Sequence, residues 1–213
     1  MNAAPKFGPA FTLESADAAS LDQLRHQAMG CTRCELYKNA TQMVFGEGSQ
    51  KAEIVLVGEQ PGDKEDTAGR PFVGPAGRLL DICLKEAGLD RSRCYVTNAV
   101  KHFKFEPRGK RRLHSKPNAG EIQRCSWWLG AEVKIVRPKL VIALGATALY
   151  SLLGTKVKLT SERGRILTPA DHPPVLVTIH PSFLLRIRDL GDGEQQRAHF
   201  VADLHRAVQY QGN

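Results

Sequence analysis

The sequence predicts an α/β protein, a three-layer α/β/α sandwich around a central four-stranded parallel sheet. Three observations carry that expectation. The runs Glu53–Val57, Cys94–Val96, Lys139–Leu144 and Val175–Ile179 are largely apolar without alternation, as strands buried on both faces are. Segments with helical spacing of apolar residues lie between them, and strands alternating with helices build a parallel sheet covered on both sides. Each of three strands is followed directly by polar, chemically capable residues: Glu59 and Gln60, Asn98, and His180.

Taken in order, residues 1–20 are expected to form a flexible arm and residues 21–213 a single domain. Leu21 to Ala28 reads as a short helix stopped by Gly30. The first strand ends in the tight turn Gly58-Glu59-Gln60-Pro61-Gly62. After the Gly- and Pro-rich loop GRPFVGPAG, Leu79, Leu80, Cys83, Leu84 and Ala87 recur at helical spacing until Gly88. The second strand finishes at Thr97-Asn98. Asn118, with Glu121 three residues on, resembles a capping pair for a helix reaching about Val136. The third strand turns at Gly145 into a helix from Ala146 to Leu153. The fourth ends at His180-Pro181-Ser182, and a last helix spans about Gln196 to Gln209. In an open parallel sheet the carboxyl ends of the strands share one edge, where ligands bind. The three polar clusters should therefore converge on one crevice.

A chain of 213 residues with 42% hydrophobic and 24% charged content can bury a substantial core. No apolar run approaches the roughly 18–20 residues of a membrane span, and the first twenty residues lack the apolar core of a secretory signal. Five cysteines, an odd number that includes Cys31-x-x-Cys34, argue against a disulfide framework. They suggest a metal or cluster site in a reducing compartment, so a cytoplasmic location is expected. Monomer is the default expectation for its assembly.

The net charge of +8 is concentrated in one stretch, Lys101 to Lys116, where seven cations face Glu106 alone. Pro107, Gly109 and Pro117 disfavour a helix there, so the stretch reads as a loop. A basic loop containing two phenylalanines is an electrostatic footprint for a polyanion, nucleic acid before membrane.

The residues then match a known family. GEQPG after the first strand, PFVGPAGRLL, YVTNAVK after the second and HPS after the fourth resemble the uracil-DNA glycosylase superfamily. The resemblance is closest to its iron–sulfur branch, family 4, and covers roughly Leu21 to the end. Family 4 typically carries GEAPG where this chain has Gln60. The loop GKRRLH, Gly109 to His114, is similar to the KRRIH loop of UdgX-type enzymes, which become covalently attached to uracil-containing DNA through its histidine.

That resemblance implies roles for individual side chains. Phe72 matches the residue that stacks on the flipped uracil. Asn98 matches the one that reads the uracil edge, since an amide offers donor and acceptor together. His180 matches the donor to a uracil carbonyl as charge builds on the departing base. Gly58, Gln60, Pro61 and Gly62 bring backbone close to the nucleotide, and Ser182 belongs to the same substrate site. Lys110, Arg111 and Arg112 are expected on DNA phosphates. His114 would attack the sugar C1′ in place of water, with Glu59 holding its imidazole and taking its proton. The implied substrate is uracil-containing DNA, single-stranded ahead of duplex, and free uracil is the product. A family 4 glycosylase that turns over, and an iron–sulfur nucleic-acid-binding module without catalysis, are the alternatives.

Cys31 and Cys34 cannot complete a site by themselves. The family pattern places the remaining ligands at His102, where family 4 has a cysteine, and at Cys125. A [4Fe–4S] cluster on this Cys3His set is the expectation, and tetrahedral zinc is the rival for the same donors. Cys83 and Cys94 are assigned to core packing, although either could replace His102. Trp127 and Trp128 are read as packing residues.

Overall fold

The structure, a computed structural model, describes residues 19–154 and 157–210. All but the last two residues of the expected N-terminal arm lie outside it. In chain order the elements are α1 (Leu21–Ala28), β1 (Glu47–Gly48), β2 (Ile54–Gly58), α2 (Asp63–Ala68), α3 (Pro75–Glu86), β3 (Cys94–Asn98), β4 (Phe105–Arg108) and β5 (Arg111–His114). There follow α4 (Ala119–Val136), β6 (Leu140–Leu144), α5 (Ala146–Leu153), α6 (Leu159–Glu162), β7 (Ile166–Leu167), β8 (Val175–Thr178), α7 (Pro181–Ile187) and α8 (Gly193–Gln209). Short 3-10 turns occur at Glu35–Lys38 and Arg91–Arg93.

The central sheet has the order β1-β3-β2-β6-β8-β7. Its inner strands β3, β2, β6 and β8 are mutually parallel, and these are the four runs read as apolar strands. The two-residue strands β1 and β7 pair antiparallel at the edges, where they cap otherwise open rows of backbone donors and acceptors. Sequence periodicity cannot register strands of that length, which accounts for the expectation of four strands where six occur.

The period-2 geometry of the strands divides the core into two layers. Val55, Val57, Val141, Ala143, Val175 and Val177 pack with α1, α4 and α5 on one face. Leu56, Leu140, Ile142, Leu144 and Leu176 pack with α3, α7 and α8 on the other. This is the expected three-layer sandwich. Helix α4 begins in a reciprocal capping box, Asn118 Oδ1 accepting from Glu121 N–H and Glu121 Oε2 from Asn118 N–H. Among the described residues, no helix is long and apolar enough to cross a membrane.

The basic stretch is not an irregular loop. Strands β4 and β5 form an antiparallel hairpin with Phe105 opposite His114 and Pro107 opposite Arg112. Gly109 makes its tight turn at φ 58°, a left-handed conformation glycine adopts without steric cost. Gly109 and Pro107 are turn and breaker signals that exclude a helix, but an isolated hairpin with Pro107 in one strand is invisible to a strand pattern. Its formation depends on what it packs against.

Candidate active site

The carboxyl ends of all four inner strands, with Leu144 and Gly145 closing β6, and the hairpin surround one cavity of about 600 Å³. The turn after β2 contributes Glu59, Gln60 and Gly62, β3 contributes Asn98 as its last residue, the segment after β8 contributes His180 and Ser182, and β5 contributes His114 as its last residue. Phe72 lines the same space. The parallel register places Gly58 directly beside Asn98. A Cβ on Gly58 would stand 2.4 Å from Asn98 Oδ1 and 2.5 Å from Phe72 Cζ, so only glycine lets the amide and the ring share this corner. Phe72 itself holds φ 55°, an uncommon backbone conformation for a bulky side chain.

His180 is set up as a neutral donor. Its Nδ1 accepts the Ser182 backbone N–H at 3.1 Å and lies 2.8 Å from Ser182 Oγ. An accepting Nδ1 puts the ring proton on Nε2. Burial pushes the pKa of His180 down to about 4, against the opposing pull of Glu59. Its ring centroid is 5.9 Å from that of Phe72.

Glu59 lies between two donors. Its Oε1 is 3.1 Å from His114 Nε2, and its Oε2 accepts a short hydrogen bond from Thr147 Oγ1 at the start of α5. Burial pushes the Glu59 carboxyl up, but the hydrogen bonds from His114 and Thr147 outweigh it. The group is held below its ordinary range, and therefore anionic.

The hairpin is locked in place from both ends. Gln60 Nε2 donates to the carbonyls of Lys104 (3.2 Å) and Ser115 (3.0 Å), and Gln60 Oε1 accepts from Lys104 N–H (3.2 Å). The side chain of Gln60 therefore ties together the two residues that flank the hairpin, while its position beside the cavity comes from the turn. Arg112, expected on phosphate, is instead bound inward. Its guanidinium meets Asp63 Oδ1 (2.7 Å), Asp66 Oδ2 (2.5 Å) and Thr41 Oγ1 (3.0 Å), and lies over the rings of Phe103 and Phe105. Arg112→Ala would leave the buried Asp66 carboxylate with the Thr41 N–H and little else. A loss of about 2–3 kcal/mol in urea unfolding is expected, together with faster amide exchange across 105–114. Unchanged exchange there would show that the hairpin does not depend on this anchor.

Two more cations of the stretch are also internal. Lys101 is fully buried in an ion pair with Glu132, and Lys104 pairs with Glu121 at 2.9 Å. Arg108, Lys110, Arg111 and Lys116 are exposed and remain available to an anionic partner.

Side chains that sequence reasoning passed over also build the site. The carboxylate of Glu65 accepts the backbone N–H of Gly62 (3.1 Å) and of Gly74 (2.6 Å), stapling the turn after β2 to the loop that carries Phe72. Glu65 supplies only the carboxylate half of a capping box, since Gly62 has no side chain to complete it, so the sequence does not announce this staple. Nothing local marks Thr147, Lys101 or Glu132.

The five cysteines divide by sheet face. Cys31, Cys34 and Cys125 belong to the α1/α4 side, whereas Cys83 and Cys94 are packed in the layer with α3 and α8. The sheet separates the two sets, so neither Cys83 nor Cys94 can substitute for a ligand beside Cys125. Burial pushes the Cys125 thiol up to about 12, with Cys34 and Cys31 near enough to act on it electrostatically. Two buried N–H groups point at these sulfurs: Trp128 Nε1 lies 3.1 Å from Cys31 Sγ and Lys101 N lies 3.1 Å from Cys125 Sγ. Sulfur accepting N–H donors is the outer arrangement typical of metal-bound thiolates. His102 is buried, and burial lowers its pKa. Among the described residues, no group of three or more His, Cys, Asp or Glu side chains is arranged to hold a metal ion.

Residues 45–205 match the family model described as the uracil DNA glycosylase superfamily. A type-4 uracil-DNA glycosylase of Thermotoga maritima is 43% identical over 159 residues, covering 74% of this chain and 79% of that protein. Type-4 uracil-DNA glycosylases of Sulfurisphaera tokodaii and Pyrobaculum aerophilum are 38% and 37% identical, over 72% and 78% of this chain and 74% and 85% of theirs.

Proposed function

The chain belongs to the uracil-DNA glycosylase superfamily, and on that footing we propose that it excises uracil from DNA as its type-4 relatives are named for doing. The observation that carries this reading is the convergence of Phe72, Asn98, His180 and Glu59 on one cavity. A base extruded from the DNA stack would lie against Phe72 with its edge on the Asn98 amide. As the bond from C1′ to the base breaks, its electron pair goes to uracil. The Nε2–H of His180 would meet the charge that develops on a uracil carbonyl. The Glu59 carboxylate would face the cationic sugar and orient the water that completes hydrolysis. Arg108, Lys110, Arg111 and Lys116 would neutralise neighbouring phosphates.

A second reading is favoured by one specific contact, His114 Nε2 on Glu59 Oε1. Here an imidazole nitrogen of His114 bonds to C1′ as uracil leaves, Glu59 takes the imidazole proton, and the protein stays on the DNA after one turnover. Named relatives of type 4 support the turnover reading, and the hairpin that delivers His114 to Glu59 supports capture.

One experiment separates them: incubation with labelled single-stranded DNA carrying one uracil, followed by a denaturing gel and a count of free uracil. Many equivalents of uracil with an alkali-labile abasic site establish turnover. At most one equivalent, with a band that survives boiling in detergent, establishes capture, and His114→Ser should then abolish that band. No uracil from either protein overturns both readings.

We further propose that Cys31, Cys34 and Cys125, with His102, hold a [4Fe–4S] cluster. The chemistry of the donors suits it: neighbouring sulfurs, those of Cys34 and Cys125 buried, with Cys31 and Cys125 each accepting an N–H group. The cluster would tie the segment after α1 to α4; the bond cleavage itself transfers no electrons.

A further inference from the structure

We infer that Lys101 is a positioning residue for Asn98, acting with Glu132 from beneath the cavity; this rests on the uracil-excision reading above. The side chains of both are fully buried, with Nζ 2.5 Å from Glu132 Oε2. Nζ also donates to Thr97 Oγ1 at 2.6 Å and to the backbone carbonyl of Asn98 at 2.9 Å. All three ammonium protons therefore have partners, and one of those partners is the peptide group of the residue that would read uracil.

The pair is itself anchored to the framework. Glu132, on α4, accepts from Tyr95 Oη (2.9 Å), Thr97 Oγ1 (3.0 Å) and the Gly46 N–H (3.1 Å). The backbone of Lys101 is fixed independently, its N–H on Cys125 Sγ at 3.1 Å and its carbonyl accepting from Val44 N–H at 2.8 Å. Asn98 is thus held along β2 by strand pairing and from below by an ion pair rooted in α4. It ends its strand, so the parallel ladder continues past it only through Ala99 N–H to Gly58 O and Val100 N–H to Glu59 O. A buried, charge-assisted bond to the Asn98 carbonyl sets the height at which its amide enters the cavity. Misplacement by about 1 Å at such a group can cost on the order of 10²-fold in rate.

Neither side chain lines the cavity or reaches the surface, so removal of the pair should weaken base recognition and spare the hold on DNA. The double variant Lys101→Met/Glu132→Gln removes both charges together, which avoids a lone buried ion. Single-turnover uracil release, competitive inhibition by free uracil, and affinity for uracil-free DNA of the same sequence are measured beside wild type. We expect release to slow about 10–100-fold and uracil inhibition to weaken about tenfold, with DNA affinity within about twofold. Wild-type rate and uracil inhibition in a folded double variant would overturn the inference, as would a parallel fall in DNA affinity. If that variant does not fold, Thr97→Val, which removes the hydroxyl shared by Lys101 and Glu132, should show a smaller loss in the same sense. An unchanged rate in Thr97→Val would then count against it. A wild type that releases no uracil would instead overturn the excision reading, and the positioning role with it.

Discussion

His180→Asn is expected to slow uracil release by about 10²–10³-fold, the usual cost of removing one preorganised donor aimed at developing charge. The expectation rests on geometry. Nδ1 is engaged by the Ser182 N–H and faces its hydroxyl, so Nε2 is fixed as the donor, and burial keeps the ring neutral with a pKa of about 4. The same shift has a consequence for stability. Because the folded pKa lies below the ordinary histidine value of 6.5, the folded state resists protonation. Stability linked to His180 is therefore complete above about pH 6.5 and is lost as the pH falls towards 4. The loss is on the order of 2 kcal/mol, reduced because the ring borders an open cavity. An NMR titration should find the His180 ring neutral at pH 5.5, and His180→Asn should flatten the acid side of the stability curve. A ring that titrates near 6.5, or a variant that releases uracil at the wild-type rate, would remove His180 from this role.

Glu132→Ala should destabilise the fold by about 3–5 kcal/mol in urea unfolding. Its carboxylate is fully buried and accepts from Lys101, Tyr95, Thr97 and Gly46. Truncation leaves the Lys101 ammonium in an apolar interior with no counter-charge, and also leaves the Tyr95 hydroxyl and Gly46 N–H without their acceptor. Much of that penalty comes from the orphaned charge, not from the intrinsic worth of the pair. Removing both charges together should therefore be considerably milder than removing one. A cost below about 1 kcal/mol for Glu132→Ala would mean that water or a rearranged partner reaches Lys101, contrary to its complete burial.

Much of the framework was legible because it follows from local pattern. Unalternating apolar runs gave the four parallel strands, since a strand covered on both faces has no polar side to show. Asn118 and Glu121 gave the start of α4, a cap that acts over three residues. Glu59, Asn98 and His180 were placed together by a topological rule, that parallel strands present their carboxyl ends on one edge. Candidates could be named from that rule and from the resemblance; their orientation could not.

The elements that were missed depend on partners remote in sequence. The hairpin of β4 and β5 looks like a charged loop because its pairing is local but its anchorage is to Gln60, Asp63 and Asp66. In sequence Lys101 merely adds to the charge of the basic stretch and Arg112 looks like a phosphate contact, because burial of a charge is decided by a carboxylate supplied from elsewhere in the chain.

By itself the sequence determined the layer architecture, the order of the inner strands' helices and turns, and the residue types brought to the crevice. Those depend on period, capping and chain direction, all properties of neighbouring residues. Only the tertiary structure decided which cations face outward, which nitrogen of His180 carries its proton, how His114 comes to rest on Glu59, and which cysteines share a face of the sheet. Each of these turns on a contact between segments tens of residues apart, whose energy exists only once the sheet has brought them within a few ångströms.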